Sequence, residues 1–371
     1  MFLIEVKKTF NYFAIAFLIL ISAISTYLAI KTSREIKFTG YSAPCPNIGQ
    51  SLNVEKSLEA DEYISNHDMA FHLRPENRSK YYCLTSYIDQ FNDLQLLNKL
   101  KSSVCQENKT ISSRKDPKCK IKFEQRISEL SEFHDPQLAD ITKNFFILLK
   151  WMFIVSPFVF ASGYTYDIIH CRKILSGAER IKQKLFPVKL LTQLIFGLVF
   201  FILPIIVYIS TLWIYGHIGL NNIDNPASHI NILTASYKAS LIDYILMFVL
   251  VALIDFLSFI FFQLALSQCF SQAASSASIS LFYALSIIFL PQYFRLIGSL
   301  PKFLLGLRQL MMFLPGGVLS YGLDIDKSIL GIRIFGTGHM NPLIFHGIAS
   351  LIWICIGLSL SYFRSRACFK H

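Results

Sequence analysis

Long apolar runs alternate with polar stretches along this chain, and the lengths of the runs predict membrane-spanning helices. A bilayer core about 30 Å thick requires roughly 20 mostly apolar residues in one helix. The runs predict six spans, at Phe10–Ile30, Phe145–Gly163, Leu190–Tyr215, Leu241–Leu266, Ala273–Leu290 and Asn341–Phe363. The pattern therefore indicates an all-α polytopic membrane protein with six transmembrane helices.

A long polar insert separates the first span from the others. Residues 1–30 hold the N-terminal segment and the first span, residues 31–143 form the insert, and residues 144–371 hold the remaining five spans. In the insert, Ser86 and Asp89 resemble a capping box that opens an amphipathic helix, so we expect a mainly helical lobe. His67, His72 and His134 show no metal-ligand spacing and are predicted to be surface histidines.

The stretch between the fifth and sixth spans, residues 291–340, is neither a simple loop nor a span. Pro301 and Pro315 bracket 13 mostly apolar residues, too few to cross a bilayer, and Arg308 among them disfavours burial in lipid. Gly316 and Gly317 end the segment sharply. The pattern predicts a re-entrant segment held by protein rather than by lipid, or alternatively an amphipathic helix on the surface.

The amino-acid composition agrees with a membrane protein and indicates how the net positive charge should be interpreted. Hydrophobic residues make up 53% of the 371 positions and charged residues only 16%, whereas soluble domains contain about 25% charged residues. The formal net charge of +11 lies largely beside apolar segments. We therefore interpret it as charge that sets topology and contacts anionic membrane lipids, and we predict no nucleic-acid partner.

A basic loop fixes the predicted orientation. Residues 164–189 connect the second and third spans and contain the following cations: Arg172, Lys173, Arg180, Lys182, Lys184 and Lys189. Short loops rich in Lys and Arg remain on the cytoplasmic side. The first apolar run is too long for an ordinary signal peptide and should be retained. We expect a multi-pass plasma-membrane protein with both termini cytoplasmic and residues 31–143 outside.

The insert also contains four cysteines, Cys45, Cys83, Cys105 and Cys119. Four cysteines in an exported lobe predict two disulfides, for which three pairings are possible. A metal site with four thiolate ligands is the alternative, and the absence of a C-x-x-C pair argues against it.

The chain shows no catalytic motif. It has no H-E-x-x-H, no G-x-S-x-G and no G-x-x-x-x-G-K-[ST] sequence, so we expect neither an enzyme nor an ATP site of its own. Asp255, near the middle of the fourth span, is a possible intramembrane polar site for a proton or cation. Alternatively, Ser258, Gln263 or a residue on another helix satisfies this carboxylate.

Several of these features resemble the permease subunits of ABC-2 type exporters. Ser176–Glu179 and Phe186–Lys189 look like the acidic, glycine and proline elements that precede the third span in that family, although Asp167 stands where many members have a glutamate nearer the glycine. Leu300–Pro315 matches the short helices that dip back between the fifth and sixth spans. The large extracytoplasmic insert after the first span completes the resemblance.

The resemblance implies a transporter subunit driven by a separate ABC ATPase, which would bind ATP and Mg²⁺. Coupling to that subunit would involve Arg172, Lys173, Gly177, Glu179, Arg180 and Lys182. A second permease copy or a related permease would complete the exporter, because one copy has only six spans. The cargo would be a peptide, a lipid or another amphipathic molecule.

Two other functions are also compatible with the sequence. The protein could be a membrane-anchored sensor or immunity protein whose insert binds a ligand, although six spans exceed what an anchor needs. It could also be an ion-coupled secondary transporter that uses Asp255. Such transporters usually contain repeated sets of spans, and the long insert has no counterpart in the second half of this chain.

Overall fold

The computed structural model describes most of the apolar segments and much of the insert. The described residues are 12–38, 45, 50–72, 74–111, 127–128, 131–132, 137–160, 179–216, 241–267, 269–270, 272–296, 311, 313–318 and 342–368. Within these ranges the chain is helical, and its β-structure is limited to an isolated antiparallel bridge between Ser51 and Glu132.

The helices of the described ranges are numbered in chain order. They are α1 (Tyr12–Phe38), α2 (Val54–Ser65), α3 (Met69–His72), α4 (Pro75–Ile111), α5 (Gln137–Phe160), α6 (Glu179–Gly216), α7 (Leu241–Ser267), α8 (Ala273–Leu296) and α9 (Pro342–Cys368).

Five helices contain segments that are long and apolar enough to cross a membrane. Within the described residues these segments are Tyr12–Arg34, Ile141–Phe160, Pro187–Tyr215, Ile245–Ser267 and His346–Phe363. The apolar part of α8, Ala274–Leu290, is shorter. The predicted all-helical, multi-pass membrane architecture is confirmed at this level, and a sixth span at α8 stays a prediction.

Several helices extend beyond the predicted spans. The first helix continues past Ile30 to Phe38, and α5 begins at Gln137 rather than at Phe145. Helix α6 begins at Glu179, so part of the basic stretch expected as a loop is helical. Backbone hydrogen bonds within a helix need no apolar side chains, which is why a helix can continue where hydropathy falls.

The chain divides into two compact units. The first contains Met1–Leu28, Phe145–Ser210 and Leu246–His371, and the second contains Ala29–Asn144 and Thr211–Ile245.

In the first unit, other helices pack around α7 through aromatic and small residues. The Phe153 ring of α5 lies 4.1 Å from that of Phe259, and Phe201 of α6 lies 5.5 Å from Phe256. On α9, Gly357 allows a close approach, because a Cβ there would lie 3.1 Å from the backbone of Phe261.

A proline in α5 is accommodated by the residue before it. Pro157 has no N–H, so the carbonyl of Phe153 loses its usual helical donor. The hydroxyl of Ser156 donates to this carbonyl at 2.9 Å. Hydroxyl groups commonly satisfy backbone atoms released by proline in membrane helices. The Ser156–Pro157 pair is therefore satisfied inside an apolar helix.

The second unit is built on α2 and α4. Asn53 caps α2 by accepting the N–H of Lys56 at 2.8 Å. Helix α4 begins at Pro75, where the missing N–H costs nothing because the first turn has no helical acceptor for it. Ser86 therefore lies inside α4, and the predicted capping box at Ser86 and Asp89 is wrong.

A disulfide and apolar residues form the core of the second unit. Cys45 and Cys83 are bonded to each other, which confirms one disulfide in the insert. The buried residues beside it are Leu52, Tyr87, Phe91 and Leu94. Cys119 lies outside the described residues, as does the side chain of Cys105, so a second disulfide stays a prediction.

His72 contradicts the expectation of a surface histidine. Its side chain is only 1% exposed. Its ring stacks on Tyr81 at 4.5 Å, and its Nε2 lies 3.0 Å from the carbonyl oxygen of Ile64. Polar neighbours in sequence did not reveal this burial, because the contacts come from α2 and α4. His67 is half-buried, and His134 lies outside the described residues.

Candidate functional site

The candidate site is centred on Asp255, an acidic residue in the middle of apolar helix α7. Its side chain is 1% exposed and therefore almost completely buried. A carboxylate in such a place is costly unless hydrogen bonds replace those it makes in water. The arrangement of its partners therefore determines what the residue can do.

Three donors from two other parts of the chain reach the carboxylate. The N–H of Gly316 donates to Oδ1 at 2.9 Å, and the N–H of Val318 donates to Oδ2 at 3.2 Å. The hydroxyl of Ser350, on α9, donates to Oδ1 at 3.0 Å. Both carboxylate oxygens therefore accept hydrogen bonds from groups that cannot move independently of the surrounding fold.

The sequence left open whether Ser258, Gln263 or a residue on another helix satisfies the carboxylate of Asp255, and the hydrogen bonds distinguish between these alternatives. Ser258 donates to the main-chain carbonyl of Asp255 at 2.6 Å and not to its carboxylate. Gln263 donates to Ser156 at 3.2 Å. The carboxylate is satisfied instead by a residue on another helix, Ser350, and by backbone amides more than sixty positions away along the chain.

Residues 313–318, here called the 313–318 segment, are held by further hydrogen bonds from the neighbouring helices. The hydroxyl of Tyr283 on α8 donates to the carbonyl of Pro315 at 2.9 Å. The indole N–H of Trp353 on α9 donates to the carbonyl of Phe313 at 2.6 Å. Donors from α8 and α9 and an acceptor from α7 thus fix a short irregular piece of chain whose backbone groups would otherwise be unsatisfied.

Gly316 has two separate reasons to be glycine. Its φ of +89° lies in the left-handed region that L side chains rarely adopt. A Cβ at this position would also overlap the ring of Phe153. The sharp turn predicted at Gly316 and Gly317 is therefore where the backbone turns its amides toward Asp255.

Chemically, the arrangement stabilises a negative charge and fixes backbone to it. Hydrogen bonds to a charged group contribute about 1.5–3 kcal/mol each, more than neutral ones. Because both carboxylate oxygens accept from fixed donors, the geometry favours a role for Asp255 in holding the 313–318 segment.

The structure does not describe the side chains of the predicted coupling residues or of Pro301 and Arg308. Glu179, Arg180 and Lys182 belong to the first turns of α6, and their side chains are not described. The remaining ones lie outside the described residues: Arg172, Lys173, Gly177, Pro301 and Arg308. Their proposed roles stay predictions.

The described residues contain no group of three or more His, Cys, Asp or Glu side chains that could hold a metal ion.

The comparisons with known proteins give no relative for this chain. No protein-family model, no curated protein and no solved structure matches it.

Proposed function

We propose that this chain is the membrane-spanning permease subunit of an ATP-driven exporter, with the ATPase on a separate ABC-type chain. The observation that carries the proposal is the attachment of the 313–318 segment to Asp255 at the middle of α7. A protein that only anchors a lobe needs no buried charge in a span. A permease needs a device that closes its path and can be released.

The 313–318 segment has the features of such a closure. It lies between α8 and α9, so in the proposed topology it returns from the outer face into the membrane as a re-entrant segment. Four hydrogen bonds hold it directly. Two go from its amides to the carboxylate of Asp255, and one each comes from Tyr283 and Trp353. Breaking these bonds together would release the segment, and a released arrangement is what an external force would select in this proposal.

Helix α6 offers a route for that force. It runs without interruption for 38 residues from Glu179 to Gly216, which corresponds to about 57 Å at 1.5 Å per residue. Its first turns contain Arg180 and Lys182, and its apolar part begins at Pro187. An ATPase bound to the basic end would push on the same helix that packs against α7.

The proposed orientation places both termini in the cytoplasm and residues 31–143 outside the plasma membrane. The Cys45–Cys83 disulfide supports this side for the insert, because disulfides persist in oxidising compartments. Exposed apolar side chains such as Phe282 and Phe363, 74% and 68% exposed, are suited to contact with lipid or with a second permease. ATP and Mg²⁺ would bind to the partner ATPase.

Two alternative functions differ from the exporter in whether an ATPase partner is needed and in the role of Asp255. A sensor or immunity protein would need no ATPase. An ion-coupled carrier would use Asp255 as its proton or cation site, which the three donors on its carboxylate disfavour.

The test is purification of the tagged full chain from its source cells in mild detergent, followed by photolabelling with azido-ATP and mass spectrometry. We expect a nucleotide-labelled, vanadate-sensitive ATPase in the wild-type sample. Reversing the charges at the basic end of α6, with Arg180→Glu and Lys182→Glu, should remove it. The matched control reverses two exposed charges at the other end of the first span, with Lys31→Glu and Arg34→Glu, and should retain it.

Absence of any nucleotide-labelled partner from the wild-type sample would overturn the proposed function. Retention of the ATPase by the Arg180→Glu/Lys182→Glu variant would instead overturn the assignment of the coupling site.

A further inference from the structure

A second group of buried polar residues surrounds α7, nearer its C-terminal end than Asp255. One side chain comes from each of five helices of the first unit, and each is no more than 7% exposed. We call this group the polar layer, and its members are Ser156, Gln193, Gln263, Ser280 and Ser361.

Contacts between the helices place the five residues at one level along α7. Ser156 is directly hydrogen-bonded to Gln263. Helix α9 runs parallel to α7, with Ser350 beside Asp255 and Gly357 beside Phe261. Continuing this register places Ser361 beside position 265.

The other two helices run antiparallel to α7. Helix α6 pairs Gly197 with Ile260 and Phe201 with Phe256, which places Gln193 beside position 264. Helix α8 follows α7 after a short connection and places Tyr283 4.9 Å from Phe262, so Ser280 lies beside position 265. All members are thus level with positions 263–265, a spread of about 3 Å along the axis of α7.

The polar layer contains more hydrogen-bonding capacity than its surroundings use. Within the described part of the chain, five buried side-chain oxygens have no hydrogen-bond partner. Four of them belong to the layer: Oε1 of Gln193, Oε1 of Gln263, Oγ of Ser280 and Oγ of Ser361. The fifth is Oγ of Ser276, one turn before Ser280 on α8. Ser156, a member of the layer, donates to a carbonyl of its own helix, and so does the buried Ser258 outside the layer. The five oxygens without a partner therefore lie at this level or one turn away from it.

Leaving these oxygens buried without partners is expensive. A buried polar atom without a hydrogen bond loses its hydration without a replacement, and apolar residues of similar shape would avoid that cost. A layer that served only to pack helices would be better built from leucine. The cost is recovered if the layer meets hydrogen-bond donors in another conformation of the bundle.

We propose that the polar layer lines the transport path and becomes solvated when the helices around α7 separate, where it binds neutral donor groups such as peptide amides. The inference rests on the proposed function, and it names the substrate class. The free glutamine oxygens of the layer only accept hydrogen bonds, its serine hydroxyls accept and donate, and its five members carry no formal charge. Neutral groups with an N–H donor match the glutamine oxygens, while the neighbouring apolar residues suit apolar side chains.

The test uses cysteines placed at the layer in the full chain, in open membrane vesicles that also contain its partners. Ser280→Cys and Ser361→Cys report on the layer. Phe282→Cys and Leu360→Cys are matched controls at the same depth on the outer faces of the same helices, where the native residues are 74% and 57% exposed. The probe is a charged methanethiosulfonate, which reacts with thiolates in water, and modification rates are read from intact mass.

We expect the layer cysteines to react at least tenfold faster than the controls, with rates that change on addition of ATP and vanadate. Rates equal to those of the controls in every nucleotide state would overturn the solvated path. The layer cysteines could instead react fast, with rates that ATP does not alter, in a protein that has no ATPase partner. That result would support a solvated path but overturn the proposed function.

The substrate class is tested by protection. Acetyl-trileucine amide should slow modification of Ser280→Cys, whereas its fully N-methylated analogue, which has no amide donor, should not. Equal effects of the two peptides, or no effect of either, would overturn the assignment of amide donors. Gln193→Leu should abolish the protection while leaving thermal stability unchanged or higher, since the amide oxygen it removes is unsatisfied in the closed bundle.

Discussion

The ring of Phe153 occupies the space that a side chain at position 316 would need, so only glycine can pack against this ring at Gly316. The two residues belong to different parts of the chain, α5 and the 313–318 segment. Their contact fixes how closely the segment approaches the middle of α7, where the N–H of Gly316 meets Asp255.

Gly316→Ala should therefore destabilise the protein. The left-handed backbone costs an L residue about 1–2 kcal/mol, and forcing a methyl group into a packed site costs about 1–3 kcal/mol more. Thermal unfolding in detergent, followed by size-exclusion chromatography, should show a lower Tm. Gly347→Ala is the control, because a Cβ there meets Val251 at an ordinary 3.8 Å inside a helix. An equal Tm for both variants would contradict the role given to Phe153.

Asp255→Asn should cost about 1–3 kcal/mol of stability, because one carboxylate oxygen becomes an NH₂ group that cannot accept an amide hydrogen. Val318 and Gly316 donate to different oxygens of Asp255, so no orientation of the asparagine amide accepts from both. Ser350→Ala removes one donor to this carboxylate and should cost about 1.5 kcal/mol, the low end for a bond to a charged group, because both backbone donors remain. Denaturation curves of the two variants test whether Asp255→Asn lowers stability more than Ser350→Ala does. A larger loss of stability for Ser350→Ala would contradict the prediction.

Tyr283→Phe and Trp353→Phe should loosen the 313–318 segment without altering Asp255. Each removes one donor to a segment carbonyl, of Pro315 or of Phe313, and each hydrogen bond contributes about 0.5–1.5 kcal/mol. Hydrogen–deuterium exchange should become faster at Gly316 and Val318 in either variant and fastest in the double variant. Tyr208→Phe, on α6, is a matched control and should leave exchange at these amides unchanged.

Loss of the Cys45–Cys83 disulfide should destabilise the second unit. The bond joins residues separated by 38 positions, and the chain-entropy model gives about 4 kcal/mol for a loop of that length. Peptide mapping under non-reducing conditions should recover the linked pair, and Cys83→Ser should make α4 more sensitive to protease. Cys269→Ser and Cys355→Ser, which replace exposed free cysteines, should have no such effect. Equal protease sensitivity with and without the disulfide would contradict the prediction.

The sequence predicted the apolar helices well because their signal is local. The predicted fourth span, Leu241–Leu266, agrees with α7 to one residue, since an apolar run of this length ends at polar neighbours on both sides. Hydropathy did not predict the polar parts of helices, such as the first turns of α4 and α6. Burial of His72 was missed for a similar reason, because it depends on helices that pack from elsewhere in the chain.

The site was only partly predictable. Asp255 was identified because a charge inside an apolar run is conspicuous, and the turn at Gly316 because two glycines follow a proline. Nothing in the sequence connects them, since the hydrogen bonds span 61, 63 and 95 positions. The polar layer escaped notice because single serines and glutamines in apolar helices are common, and only the register of five helices brings them to one level.

The central position of α7 limits how the first unit can deform. Rings and small residues on α5, α6 and α9 interlock with it at several heights, so sliding it by one turn, 5.4 Å, would break every one of these fits at once. The movement proposed above would therefore have to tilt the neighbouring helices about α7 instead of sliding them along it.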